Sequence, residues 1–135
     1  MSNTSSKNNF PESFIFGVAD ADLQVIGEAQ TLKHENSLPT MWAHCARESG
    51  KVFNHDTPHQ GVDRYNRYQE DIELIKALGV KHYRTSISMA RTLNADGSLN
   101  EKAIGWYRRY FELLRDAGIA VYATLYHWEL PQALS

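Results

Sequence analysis

The sequence has a single cysteine and no long apolar run, which excludes a protein with intrachain disulfides and argues against a membrane-spanning one. Cys45 is the only cysteine in 135 residues, so no intrachain disulfide is possible and a reducing compartment is the simpler expectation. No apolar run approaches the roughly 20 residues that span a bilayer. The polar opening, residues 1–9, lacks the apolar stretch of a secretory signal. We therefore expect a soluble, cytoplasmic protein with a disordered polar leader over residues 1–9.

The sequence also lacks an excess of charge of either sign. Fourteen basic residues stand against sixteen acidic ones, which leaves a formal net charge of −2. So balanced a chain provides no electrostatic reason to bind nucleic acid or an anionic membrane surface. We expect neither as a partner.

What the sequence does contain is a clear alternation of helix and strand patterns in its second half. Apolar residues recur at three- and four-residue steps over 61–78 and again over 100–117, which predicts two helices with one buried face each. Asn100 is a suitable N-cap for the second. Residues 80–88 and 119–126 are rich in β-forming residues and predict strands, as does the short apolar segment 14–19.

These elements repeat along the chain. Gly79 and Gly118 each follow a helix pattern and precede a strand pattern, 39 positions apart. Glycine is the usual left-handed residue after a helix. A helix, a capping glycine and a strand repeated at this period are typical of successive βα units around a parallel sheet.

The strand contents favour a barrel over a doubly wound sheet. His82, Arg84 and Ser86 share one face of the second strand, and a charged Arg84 would be costly against a layer of helices. In the third strand we expect Ile119, Val121, Ala123 and Leu125 to share a face that ends in His127. Polar groups at the carboxyl ends of strands are where (β/α)₈ enzymes keep their sites.

Residues 20–57 show no sustained period and predict a long connection with one short helix at about 40–47. Such long loops are usually functional or disordered. Asp20 and Asp22 could form a carboxylate pair, but solvated loop charge is the commoner interpretation. His55 and His59 have the spacing of a helical metal site, yet Pro58 between them disfavours a helix, and we expect no metal.

Several segments of the chain, taken in order, resemble glycoside hydrolase family 1, the β-glucosidase family. The segments are 10–17 (FPESFIFG), Gln24 with Gly27, 50–52 (GKV), 63–71 (DRYNRYQED), 78–80 (LGV), Tyr83 with Arg84, 86–88 (SIS), Arg91 and 124–134 (TLYHWELPQAL). The last block is highly specific. The resemblance covers the chain from Phe10 to its last residue and implies an α/β fold: the first three βα units of a (β/α)₈ TIM barrel, occupying 10–135 and incomplete.

The resemblance also implies roles for particular residues. By position, Gln24, His127 and Trp128 would bind the hydroxyls of the sugar in the glycone subsite, where amide and imidazole groups offer both donors and acceptors. Arg84 would stand beside the nucleophilic carboxylate and keep it ionised. The implied activity is retaining hydrolysis of β-linked glucosides or similar sugars, with no cofactor.

The chain departs from the family in two ways. Around the first strand, Asp20, Ala21, Leu23 and Ile26 replace the family's Thr, Ser, Tyr and Glu, and Met89 stands where the family has Trp. Second, the two catalytic glutamates of the family, on Asn-Glu-Pro and Glu-Asn-Gly motifs, do not occur in these 135 residues. We therefore expect this chain alone to be inactive, as a piece of a longer protein or one that a second chain or self-association completes. The alternative is a non-catalytic sugar-binding or oligomerising remnant of the same barrel.

Overall fold

The computed structural model describes residues 10–48 and 50–134, in which three parallel strands and six helices form an α/β structure. The leader predicted over 1–9 lies outside the described residues. The strands are β1 (Gly17–Ala19), β2 (His82–Ser86) and β3 (Ala120–Thr124). The helices are α1 (Asp22–Val25), α2 (Glu28–Glu35), α3 (Met41–Arg47), α4 (Arg64–Ala77), α5 (Met89–Thr92) and α6 (Glu101–Asp116), with 3₁₀ turns at Phe53–His55 and Gln132–Leu134.

The sheet has the order β1-β2-β3, and both pairs of strands are parallel. Gly17 lies opposite His82, which in turn lies opposite Ala120. Parallel neighbours require crossover connections, and α4 and α6 lie in the two crossovers. The main apolar core joins these helices to the sheet, with Ile72 and Ile75 from α4, Tyr83 from β2, and Trp106, Tyr110 and Leu114 among the residues of α6.

Helix α6 begins and ends where its capping residues allow. The Asn100 side chain accepts hydrogen bonds from the amides of Lys102 and Ala103. At the other end Gly118 has φ +75°, and the amide of Ile119 donates to the carbonyl of Leu114 at 3.0 Å. This is the Schellman arrangement, for which a left-handed glycine is favoured. The helix predicted over 100–117 thus runs over Glu101–Asp116.

The other regular elements are shorter than their predicted ranges. The helix predicted over 61–78 begins only at Arg64, because Asp63 before it has left-handed geometry with φ +58°. The strand predicted over 14–19 is limited to Gly17–Ala19. Upstream, the rings of Phe10, Phe14 and Phe16 pack on one another with centroids 4.4 to 5.0 Å apart.

In the third strand Ile119 and Val121 share a face as predicted, but that face packs against the core and does not end in His127. Arg84 lies opposite Tyr122 in the parallel register, and Tyr122 Oη lies 3.1 Å from Nδ1 of His82 on the same face. Val121 therefore points to the other face, where it packs against the core. His127 does not continue either face, because the regular strand ends at Thr124 and the chain turns before it.

The irregular region is more structured than its sequence pattern predicts, since residues 20–57 contain α1, α2 and α3. The short helix expected at 40–47 spans Met41–Arg47, and the Thr40 side chain caps it by accepting from the amide of Ala43 at 3.0 Å. Within the described part of the chain, no helix has the length and apolar character that crossing a membrane requires.

Candidate active site

The candidate site lies at the carboxyl edge of the sheet, where parallel strands all end at one side. Asp20 follows β1, Ser88 follows β2 and His127 follows β3 by three residues. The amide of Asp20 donates to the carbonyl of Arg84 at 3.0 Å, and the amide of Ile87 donates to the carbonyl of Thr124 at 2.9 Å. The sheet thus holds the three strand ends in fixed register and brings polar side chains together.

Arg84 and His127 are in direct contact at this edge. Nη1 of Arg84 donates to the carbonyl oxygen of Asp20 at 2.8 Å and lies 3.2 Å from Nδ1 of His127. A guanidinium has only donors, so Nδ1 must accept the hydrogen bond. The contact therefore selects the neutral tautomer of His127 with its proton on Nε2, which leaves Nε2 as a donor.

Trp128 presents its ring from an unusual backbone conformation. Its φ is +65°, a left-handed geometry that costs a bulky L-residue roughly 1–2 kcal/mol. The carbonyl of Trp128 accepts a hydrogen bond from Nε1 of Trp42 at 2.5 Å, which helps to hold the strained residue. The Trp128 side chain is 72% exposed. Backbone strain of this kind clusters at functional sites.

Gln24 lies in α1 and is exposed. No hydrogen bond joins its side chain to Arg84, His127 or Trp128 among the described residues. The structure therefore brings together Arg84 and His127, with Trp128 next in the chain, and leaves the Gln24 amide unengaged by these three.

The two aspartates after β1 are not solvated loop charges, contrary to the commoner interpretation of their sequence. The Asp20 carboxylate accepts hydrogen bonds from the hydroxyls of Tyr83 and Thr85 and pairs with Arg64. Asp22 is buried and pairs with Nη1 of Arg91 at 3.0 Å. A carboxylate this close to the sheet is stable only with such partners, so both serve the fold.

A buried polar cluster lies beneath the site. Arg91 is 2% exposed and binds Glu35 through two nitrogens, at 2.9 and 2.7 Å, in addition to Asp22. Its guanidinium also lies over the rings of Trp106 and Tyr107, 4.6 and 4.3 Å from their centroids. Such stacking suits a delocalised cation. We define the polar cluster as the five buried residues Asp22, Glu28, Glu35, Arg91 and Glu129.

Glu129 is a member of this cluster that sequence reasoning treated only as part of a motif. It is 5% exposed and accepts a hydrogen bond from the hydroxyl of Ser88. Burial, and next the charge on Asp22, raises the pKa of Glu129 to about 7. Burial likewise raises the pKa of Asp22, against the opposing effect of Arg91. Trp42 was also missed, since nothing in its sequence context marks it.

The comparisons with known proteins identify the family of the chain. The family model for glycosyl hydrolase family 1 matches residues 6–135. The chain is 40% identical to β-glucosidase 40 of Arabidopsis thaliana over 130 residues, which cover 96% of this chain and 25% of the relative. It is 41% identical to β-glucosidase A of Thermotoga maritima over 126 residues, which cover 93% of this chain and 28% of that protein.

Solved structures give the same result. The T. maritima β-glucosidase in complex with glucoimidazole superimposes with a TM-score of 0.85 at 41% identity, over 93% of this chain and 28% of that chain. The AHE enzyme from Alicyclobacillus herbarius gives a TM-score of 0.86 at 38% identity, over 93% and 27%. This parallel α/β chain belongs to glycosyl hydrolase family 1. It spans about a quarter of the length of the curated relatives that it matches.

Proposed function

We propose that this chain supplies the glycone-binding part of a retaining β-glycosidase acting on β-linked glucosides or similar sugars. The observation that supports this most is the contact of Arg84 with His127 across the carboxyl ends of two adjacent parallel strands. A cation and an imidazole donor at this edge suit a substrate with many hydroxyls and a negatively charged catalytic partner.

Each residue has a distinct role in this proposal. His127 donates from Nε2 to a sugar hydroxyl, while Arg84 fixes its tautomer. Trp128 offers apolar ring area and one N–H donor, and the Gln24 amide offers both a donor and an acceptor. Arg84 has a second role, because a neighbouring guanidinium keeps a nucleophilic carboxylate ionised.

The two catalytic carboxylates come from outside these 135 residues in our proposal. A retaining mechanism needs two carboxyl groups about 5–5.5 Å apart, one as acid/base and one as nucleophile. Asp20 and Asp22, the acidic residues next to β1, are held in ion pairs with Arg64 and Arg91. These ion pairs fit a structural role, and the family's two glutamate motifs do not occur in these residues, so we expect no hydrolysis of glycosides by this chain alone.

Completion of the barrel is part of the same proposal. In the described sheet β1 and β3 each pair with a single neighbour, and unpaired edges invite pairing with further strands. Large apolar side chains at those edges are exposed, among them Phe16, Leu125 and Tyr126. We propose that further βα units, on the same chain, a second chain or another copy, cover these edges in a (β/α)₈ barrel.

A non-catalytic sugar-binding or oligomerising role is the second candidate, and one observation favours it. Ile26, which stands where the family has Glu, is 2% exposed and belongs to the apolar core. The loop after β1 has therefore exchanged a family carboxylate for packing. Such a replacement of a family carboxylate by an apolar core residue is expected of a chain that has retained the fold and lost the catalytic pocket.

Hydrolysis and binding assays test the proposal. We expect no release of nitrophenol from an aryl β-glucoside by the chain alone. When residues 10–134 replace the matching segment of T. maritima β-glucosidase A, we expect hydrolysis, which His127→Ala lowers by roughly tenfold to a hundredfold. His55→Ala, on an exposed residue, is the matched control.

The outcomes separate the two candidates. Equal activity of the His127→Ala and His55→Ala hybrids would contradict the glycone role. Calorimetry of the isolated chain with glucoimidazole, combined with light scattering, addresses the alternative. Binding, or a defined oligomer, together with an inactive hybrid would favour the non-catalytic module.

A further inference from the structure

The polar cluster contains more carboxylates than cations. Four of its members are acidic, and each is at least 95% buried. Arg91 is the fifth member and the only cation, and its guanidinium is occupied by Asp22 and Glu35. Glu28 pairs at the rim with Arg47 at 3.5 Å and with Nδ1 of His59 at 3.7 Å. Glu129 has no ion-pair partner among the described residues.

A second observation concerns Asp22. Its Oδ1 binds Arg91, but its Oδ2 is buried and has no hydrogen-bond partner in the described part of the chain. Asp22 and Glu129 both line a small cavity together with Glu28 and Arg91. An unsatisfied carboxylate oxygen buried beside a second, unpaired carboxylate is unfavourable as long as both are ionised.

The size of the cavity limits how this charge can be neutralised. The cavity leaves about 10 Å³ for the centre of a water-sized molecule, roughly the least that one water requires. A hydrated cation does not fit, and the described residues contain no group of three ligands suited to a metal ion. A single water could donate a hydrogen bond but would leave both carboxylates charged, whereas a proton removes one charge and turns one carboxylate oxygen into a donor.

We propose that Asp22 and Glu129 share one proton across this cavity in weakly acidic solution, and that the protonated pair positions the glycone-binding residues. Asp22 is the first residue of α1, which contains Gln24. Glu129 directly follows His127 and Trp128 and is bound to Ser88, the N-cap of α5. The shared proton thus links the two segments that present Gln24, His127 and Trp128.

The charged groups around the pair act in both directions, since Arg91 and Tyr107 lower the pKa of Asp22 whereas Glu28 raises that of Glu129. Glu129 faces Asp22 from α1, Glu28 from α2 and Arg91 from α5, and the hydroxyl of Tyr107 from α6 is close enough to interact with both carboxyls. Two of these neighbours are acidic and one is cationic. Like charges crowded in a buried site raise the affinity for a proton, and a coupled pair titrates as a unit.

Carboxyl ¹³C NMR of the 135-residue chain tests the proton directly and without any sugar. We expect the side-chain carboxyl of Glu129 to titrate with a midpoint near 7, and Asp22→Asn to lower that midpoint by removing the like charge. The amide signals of Gln24 and Trp128 should move with the same midpoint, and Glu129→Gln should abolish that movement. Glu112→Gln, on an exposed residue of α6, is the matched control and should change nothing.

A midpoint for Glu129 below 5, or one that Asp22→Asn leaves unchanged, would overturn the shared proton. Amide signals of Gln24 and Trp128 that ignore the titration would overturn the positioning role. That role rests on the proposed glycone contacts, but the two can fail separately. Loss of sugar binding with an intact titration would contradict the glycone contacts alone.

Discussion

Arg84 and Arg91 lie seven residues apart and show two opposite uses of the same side chain. Arg91 is fully surrounded, with two carboxylates on its nitrogens and aromatic rings on its faces. Arg84 is half-buried at the open edge of the sheet, and its hydrogen bonds go to a carbonyl oxygen and an imidazole. Among the described residues it has no carboxylate within 4.0 Å. Arg91 therefore stabilises the buried cluster, whereas the charge of Arg84 is not neutralised by a carboxylate and can interact with another group.

Removal of Arg91 should have the largest effect on stability. Arg91→Met leaves Asp22 and Glu35 buried without a cation, which costs about 3–5 kcal/mol. We expect this variant to unfold at much lower urea concentration, measured by circular dichroism. Arg115→Met removes a surface arginine whose partner is Asp116 and should stay within about 0.5 kcal/mol of the wild type. Equal midpoints for the two variants would remove the distinction between buried and open arginines.

The pH dependence of stability should be next in size. The pKa of Glu129 rises from its ordinary value of 4.5 to about 7 in the folded chain, so the native state binds more protons than the unfolded state between these values. The contribution of Glu129 to stability should therefore be greatest below pH 4.5 and fall as the pH rises to about 7, by on the order of 3 kcal/mol. Glu129→Gln should flatten the curve in urea titrations at several pH values. A wild-type stability that rises through this range relative to that of Glu129→Gln would contradict the assignment.

Loss of the α6 cap should have a smaller effect. Asn100 accepts two amide hydrogen bonds at the start of α6, and its Nδ2 donates to the carbonyl of Glu35 at 3.0 Å. Asn100→Ala should therefore destabilise the chain by about 1 kcal/mol or somewhat more. Thermal unfolding followed by circular dichroism measures it, and Asn100→Asp, which preserves the cap acceptor, should recover part of the loss.

Substitution of Arg84 should affect stability least. Arg84→Met removes one hydrogen bond to a carbonyl oxygen and the contact with His127, and exposes no buried charge. We expect a change below about 1 kcal/mol in the same urea titrations. The His127 ring, however, should lose its single tautomer, which ¹⁵N NMR of the imidazole detects. A large loss of stability would place Arg84 in the same class as Arg91.

Sequence patterns located the regular elements well where local chemistry determines them. The caps of α6 could be predicted because Asn100 and Gly118 act through their own geometry. Helix α2, which follows the first strand, could not be predicted, because the residues that it buries are Glu28, Thr31 and Glu35. A helix whose buried residues are polar has no apolar stripe to detect.

The candidate site divides in the same way. The positions of Arg84 and His127 followed from strand ends and from the family pattern, and the structure brings the two together. The alternation of side chains along β3 predicted the wrong face for His127, because this alternation holds only within a regular strand and β3 ends at Thr124. The two carboxylates that Arg91 binds, Glu35 and Asp22, lie 56 and 69 residues away from it, a separation that no local pattern encodes.

The left-handed conformation of Trp128 has a consequence for how this family's motif can vary. Trp128 lies between β3 and Glu129 and has φ +65°. This left-handed conformation is easier for glycine than for a β-branched residue. Trp128→Gly would remove the indole and preserve the left-handed backbone conformation, whereas Trp128→Val would remove the indole and strain that conformation as well. A substitution at this position therefore has two separable effects, one on the ring and one on the backbone conformation that presents it.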